Sequence, residues 1–179
     1  VIADLSFADL VLWISDGKKG FIAAGHARPS SAATVFYRDI TGKPVEKAWA
    51  QLVSKAFTTG ELVEYGEPDK YQGVPARLSA VPVFRRLNIS SGTDITPSPI
   101  AVVTKHTNLG EAAAPNKTRI NLNNLGDKLL NMVTDGSYPM FSAQSAPRRG
   151  APRVNDGLLH LDAEGRVVFS SPNGISAFQ

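Results

Sequence analysis

The sequence predicts an α+β protein in which helices flank an antiparallel sheet. Two segments, at about residues 44–58 and 116–135, carry apolar residues three and four positions apart, the period of an amphipathic helix. No helical pattern interrupts residues 62–104, which argues against a doubly wound parallel sheet. Short β-rich runs supply the predicted strands, at residues 7–14, 21–24, 62–65, 76–84 and 100–104.

The first two strands are expected to form a hairpin. Residues 7–14 are followed by the Asp-Gly pair at positions 16–17, which favours a turn, and residues 21–24 return as FIAA. A further β-rich run, TVFY at residues 34–37, is predicted to add another strand.

Both helices have recognisable ends. Pro44 suits the first helical position, because the N–H that proline lacks would be unpaired there in any case. Gly60 suits the end of that helix, because glycine readily takes the left-handed conformation. Asn116 is a favourable N-cap for the second helix, which is predicted to run to Asp135.

The later strands are expected to be separated by loops. GEPDKYQG, at residues 66–73, is bounded by glycines and is predicted to be a loop. Residues 85–99 are rich in Pro, Asn, Ser and Thr and are predicted to form an exposed loop. Pro82 cannot donate to a sheet ladder, so its strand is predicted to end at an edge or a bulge.

The composition excludes several classes of protein. The chain has 179 residues and no cysteine, so disulfides, thiolate metal sites and thiol redox sensing are excluded. Its apolar runs reach about five residues, whereas a membrane-spanning helix needs about 20. The net charge is +3, and the basic cluster RRGAPR at residues 148–153 is expected to be a solvated linker. We therefore expect a cytoplasmic protein that binds neither membrane nor nucleic acid.

The sequence contains no catalytic or metal-binding motif that we recognise. His26, His106 and His160 lie far apart and lack the spacing of metal ligands. Neither a phosphate-binding glycine loop nor a Gly-x-Ser-x-Gly nucleophile elbow is present. A binding or regulatory module is therefore favoured over an enzyme, with no catalytic residue and no metal. Three N-terminal aspartates are irregularly spaced and are expected to be exposed charges: Asp4, Asp9 and Asp16.

A group of aromatic residues has two interpretations. Trp13, Phe36 and Trp49 could line a small-ligand pocket, because such pockets combine apolar walls with a few polar groups. His26 and Arg28, which follow the second strand, could supply those polar groups. The same aromatic side chains are also what the core of an α+β domain requires. The sequence leaves both interpretations open.

The end of the chain resembles the opening of a PAS domain. Such domains begin with Asp-Gly, a short strand, an Asp-x-x-Gly turn, a second strand, and an Asn before a helix that ends in a bulky apolar residue. Gly165 is expected to take a positive φ, and Asp162 to accept hydrogen bonds from the turn backbone. The matching elements are Asp156-Gly157, residues 158–161, residues 162–165, residues 167–170, Asn173 and Phe178.

The preceding part resembles the GAF-type N-terminal domain of actinobacterial soluble sensor histidine kinases. The resemblance implies a GAF-like sensor domain over residues 1–140, a linker over 141–155, and the incomplete N-terminal part of a PAS domain over 156–179. The matching stretches are ADLSFADLVLWI (3–14), ARP (27–29), AVVTKH (101–106) and LLNMVTDGSYP (129–139).

The resemblance also implies a function in two-component signalling. This chain would be the sensory input region of a cytoplasmic histidine kinase, and the parent protein is expected to continue beyond Gln179 into the kinase core. No cofactor is evident in this chain. ATP and Mg²⁺ are expected only in that core, where the phosphorelay to a response regulator begins. The parent is expected to be a homodimer, and an unidentified small molecule would be the ligand.

The second predicted helix is expected to carry the signal towards the kinase core. The residues assigned to this signalling face are Ile120, Leu125, Leu129 and Met132. The alternative function is a GAF-like small-ligand-binding protein or enzyme with a different output.

Overall fold

The computed structural model describes residues 1–66, 68–84, 98–110, 114, 116–135, 137 and 157–176. These residues form a six-stranded sheet with helices on both faces, and a second sheet of two strands. The predicted α+β class with an antiparallel sheet is confirmed. The elements are α1 (Ile2–Ser6), β1 (Asp9–Ser15), β2 (Phe21–Ala27), α2 (Lys47–Thr59), β3 (Val63–Glu64), β4 (Asp69–Tyr71), β5 (Val74–Phe84), β6 (Pro99–Asn108), α3 (Lys117–Thr134), β7 (Leu159–Leu161), β8 (Val167–Ser170) and α4 (Pro172–Ser176).

The large sheet has the strand order β2-β1-β6-β5-β3, and β4 pairs with the start of β5. Every pairing in it is antiparallel. In the register, Asp9 of β1 lies opposite His106 of β6, which in turn lies opposite Leu78 of β5. Since directly opposed residues share one face of a sheet, these three side chains lie in a row across the central strands.

The N-terminal end contains a short helix before the first strand. α1 ends at Phe7, which takes the left-handed conformation with a φ of 50°, and β1 begins at Asp9. The predicted hairpin of β1 and β2 is confirmed. The carboxylate of Asp16 closes its turn by accepting hydrogen bonds from the N–H groups of Lys18 and Gly20.

Residues 34–37 do not form a strand, so that prediction is wrong. The hydroxyl of Thr34 and the N–H of Val35 each donate to the carboxylate of Asp9 at 2.6 Å. The local backbone is therefore held by a side chain instead of by a neighbouring strand. Val35 and Phe36 are buried as a result, and they add to the core on the α2 face of the sheet.

The first long helix begins at Lys47 and not at Pro44, where it was predicted. Pro44 forms an isolated antiparallel bridge with Ile22, and the N–H of the following residue also donates to β2. These contacts keep the segment extended beside the sheet until α2 starts. The predicted end at Gly60 is confirmed, with a φ of 69° and its N–H bonded to the last turn.

β4 lies in the segment that was predicted to be a loop. It returns into β5 through a two-residue turn, Gln72-Gly73, with φ values of 48° and 87°. Positive φ at both central residues is the geometry of a type I′ hairpin turn. Further along β5, the register shifts between Val83 and Phe84, one residue after Pro82, near where an edge or a bulge was predicted.

α3 confirms the second predicted helix. The Asn116 side chain caps it by accepting the N–H of Arg119 at 2.8 Å. None of the described helices has the length and apolar character that crossing a bilayer requires. Residues 85–97 of the predicted loop lie outside the described residues, and β6 begins at Pro99. The predicted linker at 141–155, Asp156 and Phe178 also lie outside them.

Residues 157–176 form a small unit of one hairpin and one short helix. Gly165 has a φ of 80°, and Asp162 accepts hydrogen bonds from two backbone N–H groups of the turn, as predicted. The Ser171 hydroxyl accepts from the N–H groups of Leu158 and Gly174, which joins the hairpin to α4. Several apolar side chains of this unit are exposed: Leu159, Leu161, Val167, Val168 and Ile175.

Candidate functional site

An aromatic cluster lies on the α2 face of the sheet, with Phe36 at its centre. The Phe36 ring centroid is 5.0 Å from His26, 5.7 Å from Trp49, 5.0 Å from Tyr71 and 4.8 Å from His106. Most of these pairs are edge-to-face, an arrangement that aromatic rings favour. The segment after β2 therefore brings one ring into contact with residues from β2, α2, β4 and β6.

A chain of polar side chains runs beneath this cluster. The indole N–H of Trp13 donates to the Thr104 hydroxyl at 2.7 Å, and that hydroxyl lies 2.8 Å from Nε2 of His106. Burial lowers the pKa of His106 to about 3. The Asp9 carboxylate makes a smaller contribution that raises this pKa, and His26 adds a smaller one that lowers it further. The imidazole is therefore neutral at physiological pH, and the hydroxyl hydrogen of Thr104 is available to donate to Nε2.

Asp9 is fully buried, which contradicts the expectation that it is an exposed charge. One carboxylate oxygen accepts from the Thr34 hydroxyl and the other from the N–H of Val35, and Nε2 of His26 lies 3.4 Å away. A buried carboxylate is costly unless hydrogen bonds compensate it. These donors satisfy the carboxylate and attach the Phe36 segment to β1.

The structure brings four of the five predicted pocket residues together. Trp13, Phe36, Trp49 and the side chain of His26 are all buried in the cluster. Arg28 is exposed. The Phe36 ring fills the space between these residues, so the interior of the cluster is packed like a hydrophobic core. A cavity of about 300 Å³ lies on the outer side of that ring, bordered by Phe36, Tyr37, Arg38, Ile40, Lys43, Tyr71 and Gln72.

Sequence reasoning missed several members of this cluster. Val102, Thr104 and His106 alternate along β6, so their side chains share one face of the sheet. The AVVTKH stretch therefore contained the signal that places Thr104 and His106 beside Trp13. Tyr71 was missed because its strand was predicted to be a loop.

The polar groups of the cluster suit hydrogen bonding to a ligand. Nδ1 of His26 and Nδ1 of His106 are buried without a hydrogen-bond partner among the described residues. Nδ1 of His26 lies 3.7 Å from a carboxylate oxygen of Asp39, beyond hydrogen-bonding distance. Within the same residues, no three side chains of His, Asp or Glu converge as metal ligands.

α3 packs against the rest of the domain through three residues of one face. Its buried residues are Leu122, Gly126 and Leu130, whereas Ile120 and Met132 are 50% and 38% exposed. Leu125 and Leu129 are half-buried at the edge of the contact. Gly126 belongs to this face although a search for apolar residues at helical spacing does not detect a glycine. A Cβ at Gly126 would lie only 2.5 Å from Oγ and 3.0 Å from the backbone nitrogen of Ser6, so α1 and α3 approach closely there.

These features define the class of the protein. A six-stranded antiparallel sheet with α1 and α3 on one face, and with α2 and an irregular aromatic segment on the other, is the architecture of a GAF-like sensor domain. The family described as "Histidine kinase PdtaS, GAF domain" matches residues 1–125. The chain belongs to that family.

Comparisons with known proteins agree with this assignment. The sensor histidine kinase PdtaS of Mycolicibacterium smegmatis is 31% identical over 182 residues, and that of Mycobacterium tuberculosis is 30% identical over 190 residues. Each comparison covers 99% of this chain, and the chain spans 34% of the length of these relatives. A solved structure, the sensor region of a sensor histidine kinase, superposes with a TM-score of 0.73 at 26% identity, covering 99% of this chain and 57% of the other.

Proposed function

We propose that this chain is the signal-input region of a PdtaS-like sensor histidine kinase in the cytoplasm. The observation that carries the proposal is the similarity to a sensor region over 99% of the chain, in both sequence and fold. In the parent protein, a kinase core outside this chain would bind ATP and Mg²⁺ and phosphorylate its own histidine. The phosphoryl group would then pass to a response regulator. We also propose that the parent is a homodimer.

α3 is the element that we propose carries the signal. It contacts α1 closely at Gly126, and Asp127 binds Lys105 of the sheet at 2.7 Å. A change in the sheet can therefore alter how α3 is held, and signalling requires two arrangements of such an element with different stabilities. The partly exposed Ile120, Leu125, Leu129 and Met132 are available to contact the rest of the parent.

The hairpin unit at residues 157–176 is proposed to begin a PAS domain. Its turn, held by Asp162 and Gly165, and its junction with α4, held by Ser171, support this proposal. The exposed apolar side chains of β7 and β8 support it as well, because a PAS sheet would cover them with later strands.

The aromatic cluster is the proposed ligand site of the sensor domain. Phe36 fills the space between His26 and His106, so a ligand has to move that ring to reach their nitrogen atoms. The adjoining cavity of about 300 Å³ would provide the entrance. A thermal-shift screen of the chain tests this proposal, because a ligand at 100 times its Kd should stabilise the fold by about 2.7 kcal/mol.

The signalling proposal is tested by replacing Leu125 with proline in the parent kinase. Proline inside a helix costs about 3 kcal/mol or more, because it removes a hydrogen bond and clashes with the preceding turn. We expect autophosphorylation to lose its response to the signal. Leu125→Ala removes the same side chain but preserves the helix, so it is the matched control. Unchanged autophosphorylation and an unchanged response in Leu125→Pro would refute the role of α3.

A further inference from the structure

A second cavity, of about 470 Å³, lies between the sheet and α3, on the face opposite the aromatic cluster. Its floor is formed by β5 and β6, and its roof by the first half of α3. Neither the sequence patterns nor the proposed ligand site accounts for this space.

The floor of the cavity is polar where the rest of this face is apolar. Arg77 lies opposite Thr107, and Ser79 lies opposite Lys105, so these four side chains form one patch across β5 and β6. Further along the same strands, Val81 and Val103 pack against Leu130 of α3. α3 is therefore held closely by apolar contacts at one end, while its other end lies over polar groups.

Positive charge exceeds negative charge around this cavity. Its lining contains the basic residues Arg77, Lys105 and Arg119, and the acidic residues Glu64 and Asp127. Lys105 is bound to Asp127 at 2.7 Å and to the Asn123 amide oxygen at 3.2 Å.

The two arginines remain available to a ligand. Among the described residues, neither Arg77 nor Arg119 forms an ion pair with a carboxylate. The Arg119 guanidinium lies 4.1 Å from the Phe7 ring centroid, a cation–π contact that brings no carboxylate to the guanidinium.

We propose that this cavity binds a small anion carrying a phosphate or carboxylate group. Arg77 from the sheet and Arg119 from α3 would bind it from two sides, since guanidinium groups match the geometry of both anions. The anion would also compete with Asp127 for Lys105. Binding would thereby replace a direct contact between the sheet and α3 with one made through the ligand. The binding itself does not depend on the proposed kinase function.

The test is isothermal titration calorimetry of the whole chain at constant ionic strength. Inorganic phosphate and succinate are the two probes, and saturable binding of one to one stoichiometry is expected for at least one of them. Binding of phosphate alone assigns a phosphoryl ligand, and binding of succinate alone assigns a carboxylate ligand. If neither probe saturates with a Kd of about 1 mM or tighter, the proposal is wrong.

Three variants locate the binding. Arg77→Gln and Arg119→Gln should each weaken it by about tenfold or more, because each removes one charge-assisted contact. Arg166→Gln, at an exposed arginine of the β7–β8 turn that does not line the cavity, is the matched control and should bind as the wild type does. Equal affinities in all three variants would place any binding elsewhere.

Asp127→Asn should change the affinity for the anion in the direction opposite to that of the two cavity arginine variants. It removes the carboxylate that competes for Lys105, so the anion should bind more tightly. A generally damaged cavity would instead weaken binding, and that outcome would overturn the proposed exchange of partners at Lys105.

Discussion

The side-chain nitrogen of Lys105 in β6 lies 2.7 Å from a carboxylate oxygen of Asp127 in α3. The lysine side chain is largely buried, whereas the aspartate side chain is about half exposed. Among the described ion pairs, this one joins the large sheet to α3. It therefore holds the polar part of the helix interface.

A double-mutant cycle measures the strength of this pair. Lys105→Met and Asp127→Asn, alone and together, should give a coupling energy of about 0.2–1 kcal/mol, the range for solvent-accessible pairs. The measurement is urea denaturation of the four proteins. Lys128→Met, on the exposed side of α3, is the control and should change stability by less than about 0.5 kcal/mol. Strict additivity of the single variants would mean that the pair contributes nothing.

Gly126→Ala should destabilise the sensor domain. Alanine gains about 1 kcal/mol over glycine in helix propensity, but overpacking costs about 1–3 kcal/mol or more. The new Cβ would meet Ser6 at 2.5 Å and 3.0 Å, one contact being to backbone, so we expect the loss to exceed the gain. Thermal denaturation followed by circular dichroism measures the balance.

Two further variants separate the contributions at Gly126. Asn124→Ala, at an exposed position of the same helix, should be neutral or stabilising. Ser6→Ala in the Gly126→Ala background removes the hydroxyl contact but leaves the backbone contact, so it should restore only part of the stability. A more stable Gly126→Ala protein would contradict the close approach of α1 and α3.

Thr104→Val should destabilise the core although it preserves the shape of the side chain. It leaves the indole N–H of Trp13 and Nε2 of His106 without their partner. An unsatisfied buried polar group costs about 1–3 kcal/mol. Chemical denaturation measures the loss. Thr107→Val, on the opposite face of the same strand, is the control and should cost less; equal losses would refute the special role of the Thr104 hydroxyl.

His106 should make stability depend on pH below neutrality. Its pKa is about 3 in the folded protein, against 6.5 in the unfolded chain. Between these values the unfolded state binds more protons, so stability is full above about pH 6.5 and falls as the pH decreases towards 3. The slope contributed by this one group approaches about 1.4 kcal/mol per pH unit.

The comparison that isolates this effect uses His106→Gln. Urea denaturation between pH 4 and pH 6 should show a shallower dependence on pH for the variant, because one titrating group is gone. The depressed pKa values of Asp16 and Asp39, caused mainly by hydrogen bonds from nearby backbone N–H groups, also lower stability as the pH falls towards the 3.8 of a free carboxyl group. Both proteins contain these carboxyl groups, so their contribution cancels when the two slopes are compared. Equal slopes would mean that His106 titrates normally in the folded protein.

Local sequence signals predicted the parts of this fold that local forces determine. The cap at Asn116, the helix end at Gly60 and the turn at Gly165 each depend on the intrinsic geometry of one residue. The run at residues 34–37 was misassigned because its partner is the Asp9 carboxylate, about 25 positions away in the chain. Gly126 was missed for a related reason, since only the position of α1 makes a small residue necessary there.

The candidate site was predictable to the extent that aromatic residues gather in a core. That expectation grouped Trp13, Phe36 and Trp49 correctly, and His26 with them. It did not separate a pocket from a packed interior, because that difference depends on whether Phe36 occupies the space. The cavity beneath α3 gave no sequence signal, because its polar residues come from three strands and two helices.

The only two tryptophans of the chain, Trp13 and Trp49, are both buried on the α2 face of the sheet. Trp49 and Phe36 are in ring contact, and Trp13 is bonded to Thr104. The tryptophan fluorescence of the protein therefore originates from one side of the sheet alone. A ligand that displaces Phe36 should change the emission spectrum, whereas an anion bound under α3 should leave it unaltered. The placement of these two indoles therefore allows occupation of the aromatic cluster to be distinguished from occupation of the cavity under α3 without any added label.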